Sequence, residues 1–322
     1  MKKYAVIVGQ GRSGTNWLLD LFNLSEKTYV CNEPHELVSS PICQFNPYRV
    51  VVRNNQEKLE NSWDSTIGAV ANRMSTIDPW VVDNKNYFRF RKFIYVFLRS
   101  NKIRRFLSLF CKKLANDEWE MPSIAIDDVE WKKAYRIFKF VQSPGWADFL
   151  LKARSDVHIF HIVRRPGGFL NSWRNRYLST EEQCQVHDEN LNRLRDIAVE
   201  DKFWAGKFGD IEQLGLIESE LWYWFYANET IYQAGVGKSH YTLIMYEELA
   251  STPVKILKKL YSTLGLSISN EIENKVLKSS QNSRNISDNW KEKLSNDEII
   301  LCEKFTKLAA KSFYQLTDSL DG

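Results

Sequence analysis

Between residues 9 and 17 the chain reads Gly-Gln-Gly-Arg-Ser-Gly-Thr-Asn-Trp, a run of small residues around one cation, Arg12. Such a run lets backbone N–H groups approach an anion, and a helix starting behind it adds the positive end of its dipole. The nucleoside-triphosphate version of this loop is G-x-x-x-x-G-K-[ST], with Lys on the terminal phosphates and the hydroxyl on magnesium. Gly9 and Gly14 keep that separation, but Thr15 and Asn16 stand in the Lys and Ser/Thr places, and the cation has moved inside the loop. A second cluster is Arg164-Arg165-Pro166 with Ser172 eight residues after Arg164. A guanidinium offers paired donors matched to phosphate oxygens, and a hydroxyl two turns along a following helix reaches the same group. The third group is Glu33, in Asn32-Glu33-Pro34. It reads either as a group placed beside the Arg12 loop or as a solvated loop acid capping the turn before Pro34, with His35 and Glu36 as neighbouring alternatives.

These residues need elements to hold them. Tyr4-Ala-Val-Ile-Val8 is an apolar run of strand length, and Leu18, Leu19, Leu21 and Phe22 recur at helical spacing. Thr28–Cys31 predicts a second strand ending at Glu33, and in an open parallel sheet ligand groups gather at the carboxyl ends of strands. Further strands are predicted at Ile137–Val141, His158–Val163 and Tyr241–Met245. Pro166 belongs in the first turn of a helix, where its missing N–H is harmless. Helices are also predicted through Ser179–Glu200, Ile211–Gln233, from Pro253 to Leu264-Gly265, and Asp297–Tyr314. The aromatics of Ile211–Gln233 read as core. The alternation predicts an α/β fold, a mostly parallel central sheet flanked by helices.

Arg-Ser-Gly-Thr-x-Trp around Arg12 resembles the 5′-phosphosulfate loop of the sulfotransferases that use 3′-phosphoadenosine 5′-phosphosulfate (PAPS). Arg-x-Pro with Ser172 resembles the same family's 3′-phosphate signature. The resemblance implies a P-loop-like sulfotransferase fold with helical insertions and PAPS as donor, 3′-phosphoadenosine 5′-phosphate (PAP) as product. It implies that Arg12, Ser13, Gly14, Thr15 and Asn16 hold the 5′-phosphosulfate, with Trp17 beside adenine and Arg164 and Ser172 on the 3′-phosphate. Tyr246, in Tyr-Glu-x-Leu after the last strand, corresponds to a residue near adenine, and reads equally as strand-end packing. Asn282-Ser-Arg284 and Asn289-Trp-Lys291 resemble the family's lid, in which Arg284 completes the 3′-phosphate site, although the family's Gly-rich spacing is absent. Relatives acting on small phenols and steroids carry Lys-Thr-His before the second motif; the comparable residues here are Lys139-Phe140-Val141, without the His. That departure, the Arg-type loop and an acid followed by Pro after the second strand bring the chain closer to the carbohydrate type, with Arg12 and Glu33 as catalytic residues. No metal is implied, because a sulfuryl group carries less charge than a phosphoryl group and Arg can replace magnesium.

The chain of 322 residues contains no linker, low-complexity tract or repeat, which predicts one domain over 1–322 with a basic aromatic insertion around 85–115. Five scattered cysteines, with no C-x-x-C and no His at metal spacing, suit a reducing compartment and argue against a disulfide frame and a zinc site. Met1-Lys-Lys3 runs straight into the first strand, so no secretory leader is expected and a cytoplasmic protein, peripheral at a membrane surface or not, is the default. A net charge of +4 is too mild to imply nucleic acid. Yet Lys85–Lys113 holds ten cations and no acid, interleaved with aromatics. It suits an anionic membrane surface or a lipid-linked acceptor, or else a core helix with a basic solvated back. The acceptor expected is a small molecule or glycan, with a carbohydrate or glycolipid preferred and a phenolic or tyrosyl hydroxyl open. Two rival readings stand beside transfer from PAPS: a P-loop kinase with a divergent loop, and a non-enzymatic membrane-surface or anion-binding protein.

Overall fold

A computed structural model describes residues 4–33, 60, 61, 63, 64, 133–178 and 183–314, the last range without the side chains of 183 and 281–288. The expected basic stretch at 85–113, the polar stretch at 56–76 apart from four residues, and both His35 and Glu36 lie outside the described residues.

β1 (Tyr4–Gly9) is buried along its whole length, as an apolar strand covered on both faces must be. It pairs in parallel with β3 (Tyr135–Val141) on one side and β4 (Val157–Val163) on the other, so that Val6 lies across from Phe138 and Ile159. β2 (Thr28–Asn32) and β5 (Tyr241–Met245) close the two edges, giving the all-parallel order β2-β3-β1-β4-β5. The chain leaves β1 towards one edge and β4 towards the other, which opens a crevice at their carboxyl ends. The loop around Arg12 and the Arg164 segment therefore emerge side by side.

Side chains alternate between the faces. Tyr4, Val6, Val8, Phe138 and Phe140 face Trp63, Trp146 and α2 (Pro144–Ala153). Ala5, Ile7, Ile137 and Ile162 face Leu18, Leu21 and Phe22 of α1 (Thr15–Phe22). Phe22 stacks on Tyr261 of α8 (Pro253–Thr263), whose hydroxyl donates to the Leu21 carbonyl at 2.9 Å. That bond satisfies one of the carbonyls a helix end leaves free and anchors α1, which carries the loop. Between them the chain forms α3 (Pro166–Tyr177), α4 (Gln183–Glu200), α5 (Lys202–Phe208), α6 (Leu216–Gly235) and α7 (Tyr246–Ser251). α9 (Asn270–Asp288) and α10 (Asn296–Ala310) follow, the latter starting in a capping box between Ser295 and Glu298. Among the described residues no helix is long and apolar enough to cross a membrane.

α6 is the expected aromatic core helix, with Leu221, Trp222, Tyr223, Trp224 and Phe225 all buried. It also carries two polar burials. His161 of β4 accepts from the Tyr241 hydroxyl at 2.9 Å and donates to Asn228 Oδ1 at 3.0 Å, and burial pushes its pKa down to about 4, so the ring is neutral and structural. Glu220 faces the α4 side chains Asn190 and Arg193, and burial outweighs both in pushing its carboxyl up to about 7. A carboxyl raised in the fold stabilises it fully below the ordinary value of 4.5 and withdraws that stability as pH rises through about 7. Complete ionisation therefore costs on the order of 3 kcal/mol. Glu220→Gln is expected to melt increasingly above wild type between pH 5 and pH 8; a constant difference across that range would contradict this assignment.

Candidate active site

The loop after β1 turns through two left-handed residues, Arg12 (φ 70) and Gly14 (φ 91). Glycine is required at 14, since a Cβ there would lie 2.4 Å from the Tyr246 ring. Gly9 is equally constrained, a Cβ falling 2.5 Å from the Ile162 carbonyl oxygen. The Ser13 N–H closes the turn onto the Gln10 carbonyl at 3.1 Å, and the Ser13 Oγ is buried without a hydrogen-bond partner. α1 starts at Thr15, so its first backbone N–H groups are free of intrahelical bonds at the loop.

The two distant motifs meet here. Arg12 Nε donates to Ser172 Oγ at 3.1 Å, and Arg164 Nη1 donates to the Arg12 carbonyl at 3.2 Å. Arg164 is 4% exposed, and its Nε and Nη2 have no hydrogen-bond partner. Its guanidinium lies 4.5 Å from the centre of the Tyr246 ring, and Trp17 meets the same ring edge-on at 5.8 Å. Burial lowers the pKa of Arg164, with Tyr246 and Glu247 opposing and Arg12 reinforcing the shift. Gly168 makes room for this guanidinium, because a Cβ at 168 would lie 2.9 Å from Arg164 Nε. Tyr246 thus packs under the loop, between Trp17 and the Arg164 guanidinium. Trp290, of the Asn289-Trp-Lys291 segment, packs on the first turn of α3: a Cβ at Gly167 would lie 2.3 Å from its ring. Arg284 is on α9, with its side chain outside the described residues.

On the other flank, Glu33 follows β2 with φ 44, and its N–H donates to the Lys139 carbonyl at 2.9 Å. Its carboxylate pairs with Lys139 Nζ at 2.9 Å. Lys139, 2% exposed, also donates to Asn16 Oδ1 at the start of α1. The acid is thereby tied to the anion loop through one ammonium. Among the described residues no group of His, Cys, Asp and Glu is placed to hold a metal ion.

Residues 2–313 match the model of the sulfotransferase domain family. The chain belongs to the sulfotransferase family. It is a PAPS-dependent sulfotransferase, and the match leaves the rival kinase reading without support. Similar solved structures include the sulfotransferase domain of the Synechococcus PCC 7002 olefin synthase, 15% identical over 95% of this chain and 96% of that one, with a TM-score of 0.43. A sulfotransferase from Alicyclobacillus acidocaldarius is 15% identical over 87% and 91%, TM-score 0.40. Mouse sulfotransferase SULT7A1, crystallised with PAP, is 14% identical over 99% and 86%, TM-score 0.43. No curated protein matches the chain in sequence.

In this sulfotransferase Val141 does occupy the third place of Lys139-Phe140-Val141, at the carboxyl end of β3 beside Gly9. The sequence analysis gave Lys139 no role. Its signal was available, as the only ammonium in a strand that otherwise reads Tyr-Arg-Ile-Phe-x-Phe-Val. Arg174, which the sequence analysis did not single out, pairs with Glu298 at 2.6 Å and ties α3 to α10.

Proposed function

We propose that this sulfotransferase moves the sulfuryl group of PAPS to a hydroxyl of a carbohydrate, free or lipid-linked. The acceptor O–S bond forms as the bond to the bridging phosphate oxygen breaks, PAP leaves, and the hydroxyl proton passes to a base. The observation that carries the donor half is the state of Arg164. A buried guanidinium with two unpartnered nitrogens is costly unless a ligand completes it, and a dianionic 3′-phosphate is a matched ligand. Ser172 and Arg284 share that phosphate in this reading. Ser13, Gly14, Thr15 and Asn16 take the 5′-phosphosulfate, and the unpartnered Ser13 Oγ supports that assignment. Trp17 and Tyr246 flank adenine. Arg12 follows the negative charge that builds on the bridging oxygen, so its contribution is greatest in the transition state.

Glu33 is the base in this reading, held by Lys139. Support for a carbohydrate comes from Val141 standing where phenol-type relatives have a histidine, and from the Arg-type loop. The donor assignment is tested by calorimetry with PAP and with AMP, which lacks the 3′-phosphate. Charge-assisted hydrogen bonds contribute about 1.5–3 kcal/mol each, so PAP is expected to bind about a hundredfold more tightly than AMP. In Arg164→Ala that preference is expected to shrink to a few-fold. Equal affinity of the wild-type protein for the two nucleotides would sink the assignment.

A further inference from the structure

Three residues other than glycine hold left-handed backbone among the described residues: Arg12, Glu33 and Gln142. The first two belong to the loop and acid already described. Gln142, at φ 50, has no part in either. It follows β3, so in the sheet order it stands between Glu33 after β2 and Gly9 at the end of β1. Its backbone is fastened from two directions. The N–H donates to the Gly9 carbonyl at 3.1 Å, and the carbonyl accepts from the Tyr223 hydroxyl of α6 at 3.4 Å. One residue on, Ser143 Oγ donates back to the Val141 carbonyl at 2.7 Å. An unfavourable conformation held so firmly at the head of a crevice points to a use for what it presents. What it presents is a half-buried carboxamide with no hydrogen bond to the described residues.

A second glutamine is next in sequence to that contact. Gln10, adjacent to Gly9, is 1% exposed, and both its Oε1 and its Nε2 are buried without a partner. An unpaired buried amide of this kind calls for an explanation. The charged end of the donor is a poor one, because phosphate and sulfate oxygens only accept hydrogen bonds and would leave each amide oxygen unpaired or repelled. In the donor reading above, adenine and the 3′-phosphate lie on the β4 side, with Tyr246 and Arg164, whereas Gln142 follows β3 towards β2. Sugar hydroxyls both donate and accept, as a carboxamide does. We propose that Gln10 and Gln142 bind ring hydroxyls of the acceptor next to the one being sulfated, and so determine acceptor specificity. The proposal rests on the carbohydrate reading above and names the residues that recognise the sugar.

The test uses the full chain saturated with PAP and three probes: methyl β-D-glucopyranoside, methyl β-D-galactopyranoside and methyl 2-acetamido-2-deoxy-β-D-glucopyranoside. Binding is followed by saturation-transfer NMR in wild type, Gln142→Gly and Gln10→Leu. Glycine adopts the left-handed region freely, so Gln142→Gly is expected to melt no lower than wild type and carries the test if Gln10→Leu fails to fold. At least one glycoside is expected to bind wild type, and to bind Gln142→Gly about tenfold more weakly, with the PAP affinity unchanged. Glycosides binding both proteins equally would overturn the roles of the two glutamines and leave the carbohydrate reading standing. If PAP bound but no glycoside did, the carbohydrate reading would fall and this inference with it. Failure of PAP itself to bind would remove the donor assignment instead.

Discussion

Arg12→Ala is expected to slow sulfuryl transfer about a thousandfold while leaving PAP affinity within a few-fold of wild type. The first figure is the upper range for losing one donor aimed at developing transition-state charge. The second follows because PAP lacks the sulfuryl group, and because Arg164, Ser172 and the loop amides remain. Two controls separate charge from shape. Arg12 holds φ 70, where arginine and alanine alike are strained by about 1–2 kcal/mol, so Arg12→Ala leaves that strain in place. Arg12→Gly removes that strain and is expected to be as slow as Arg12→Ala, which would show that the guanidinium and not the loop shape matters. Arg12→Lys returns a cation without the planar fork and is expected to recover part of the rate. Near-normal turnover of Arg12→Gly would remove Arg12 from the chemistry. Coupling to the second motif is also built in. Arg12 Nε donates to Ser172 Oγ, so Ser172→Ala frees the guanidinium as well as removing a hydroxyl from the proposed 3′-phosphate site.

Much of this was legible because the chemistry is written locally. An apolar strand, a glycine-rich turn and a helical stripe occur in one stretch, and so do β4, Pro166 and the first turns of α3. The joining of the two motifs could be inferred only from their chemistry, yet β1 and β4 are neighbours and the two arginines touch. What escaped the sequence analysis depends on contacts between residues far apart in the chain. Lys139 meets Glu33 across a sheet whose order runs β2-β3-β1, and no local pattern says which acid a lone strand lysine will face. The left-handed backbone at Glu33 and Gln142 is likewise invisible in residue types, since neither is glycine, the residue that usually marks such a turn. The structural part of Arg174 was hidden for the same reason: its partner, Glu298, is contributed by the far end of the chain.

Glu33→Gln is expected to lower kcat by about two to four orders of magnitude, the range spanned by general acid–base catalysis, with PAP affinity and melting temperature close to wild type. Glutamine keeps the length of the side chain, and its carbonyl still accepts from the Lys139 ammonium, so the buried lysine is not left alone. Glu33→Ala differs on that point. It strips Lys139, 2% exposed, of its carboxylate and leaves it Asn16 alone, and removing one member of a buried pair costs about 3–5 kcal/mol. Because the Glu33 side chain keeps 17% of its surface, water relieves part of that cost, and a loss below the range is expected. The contrast is diagnostic: a merely structural carboxylate would leave Glu33→Gln active, whereas a proton acceptor would leave it folded and slow. Lys139→Met supplies the converse case, keeping the carboxylate but releasing it from α1, and is expected to slow turnover less than Glu33→Gln does. Should Glu33→Gln retain more than about a tenth of the wild-type kcat, the base is another group, and a contribution of the size general-base catalysis makes would have to be sought beyond β2.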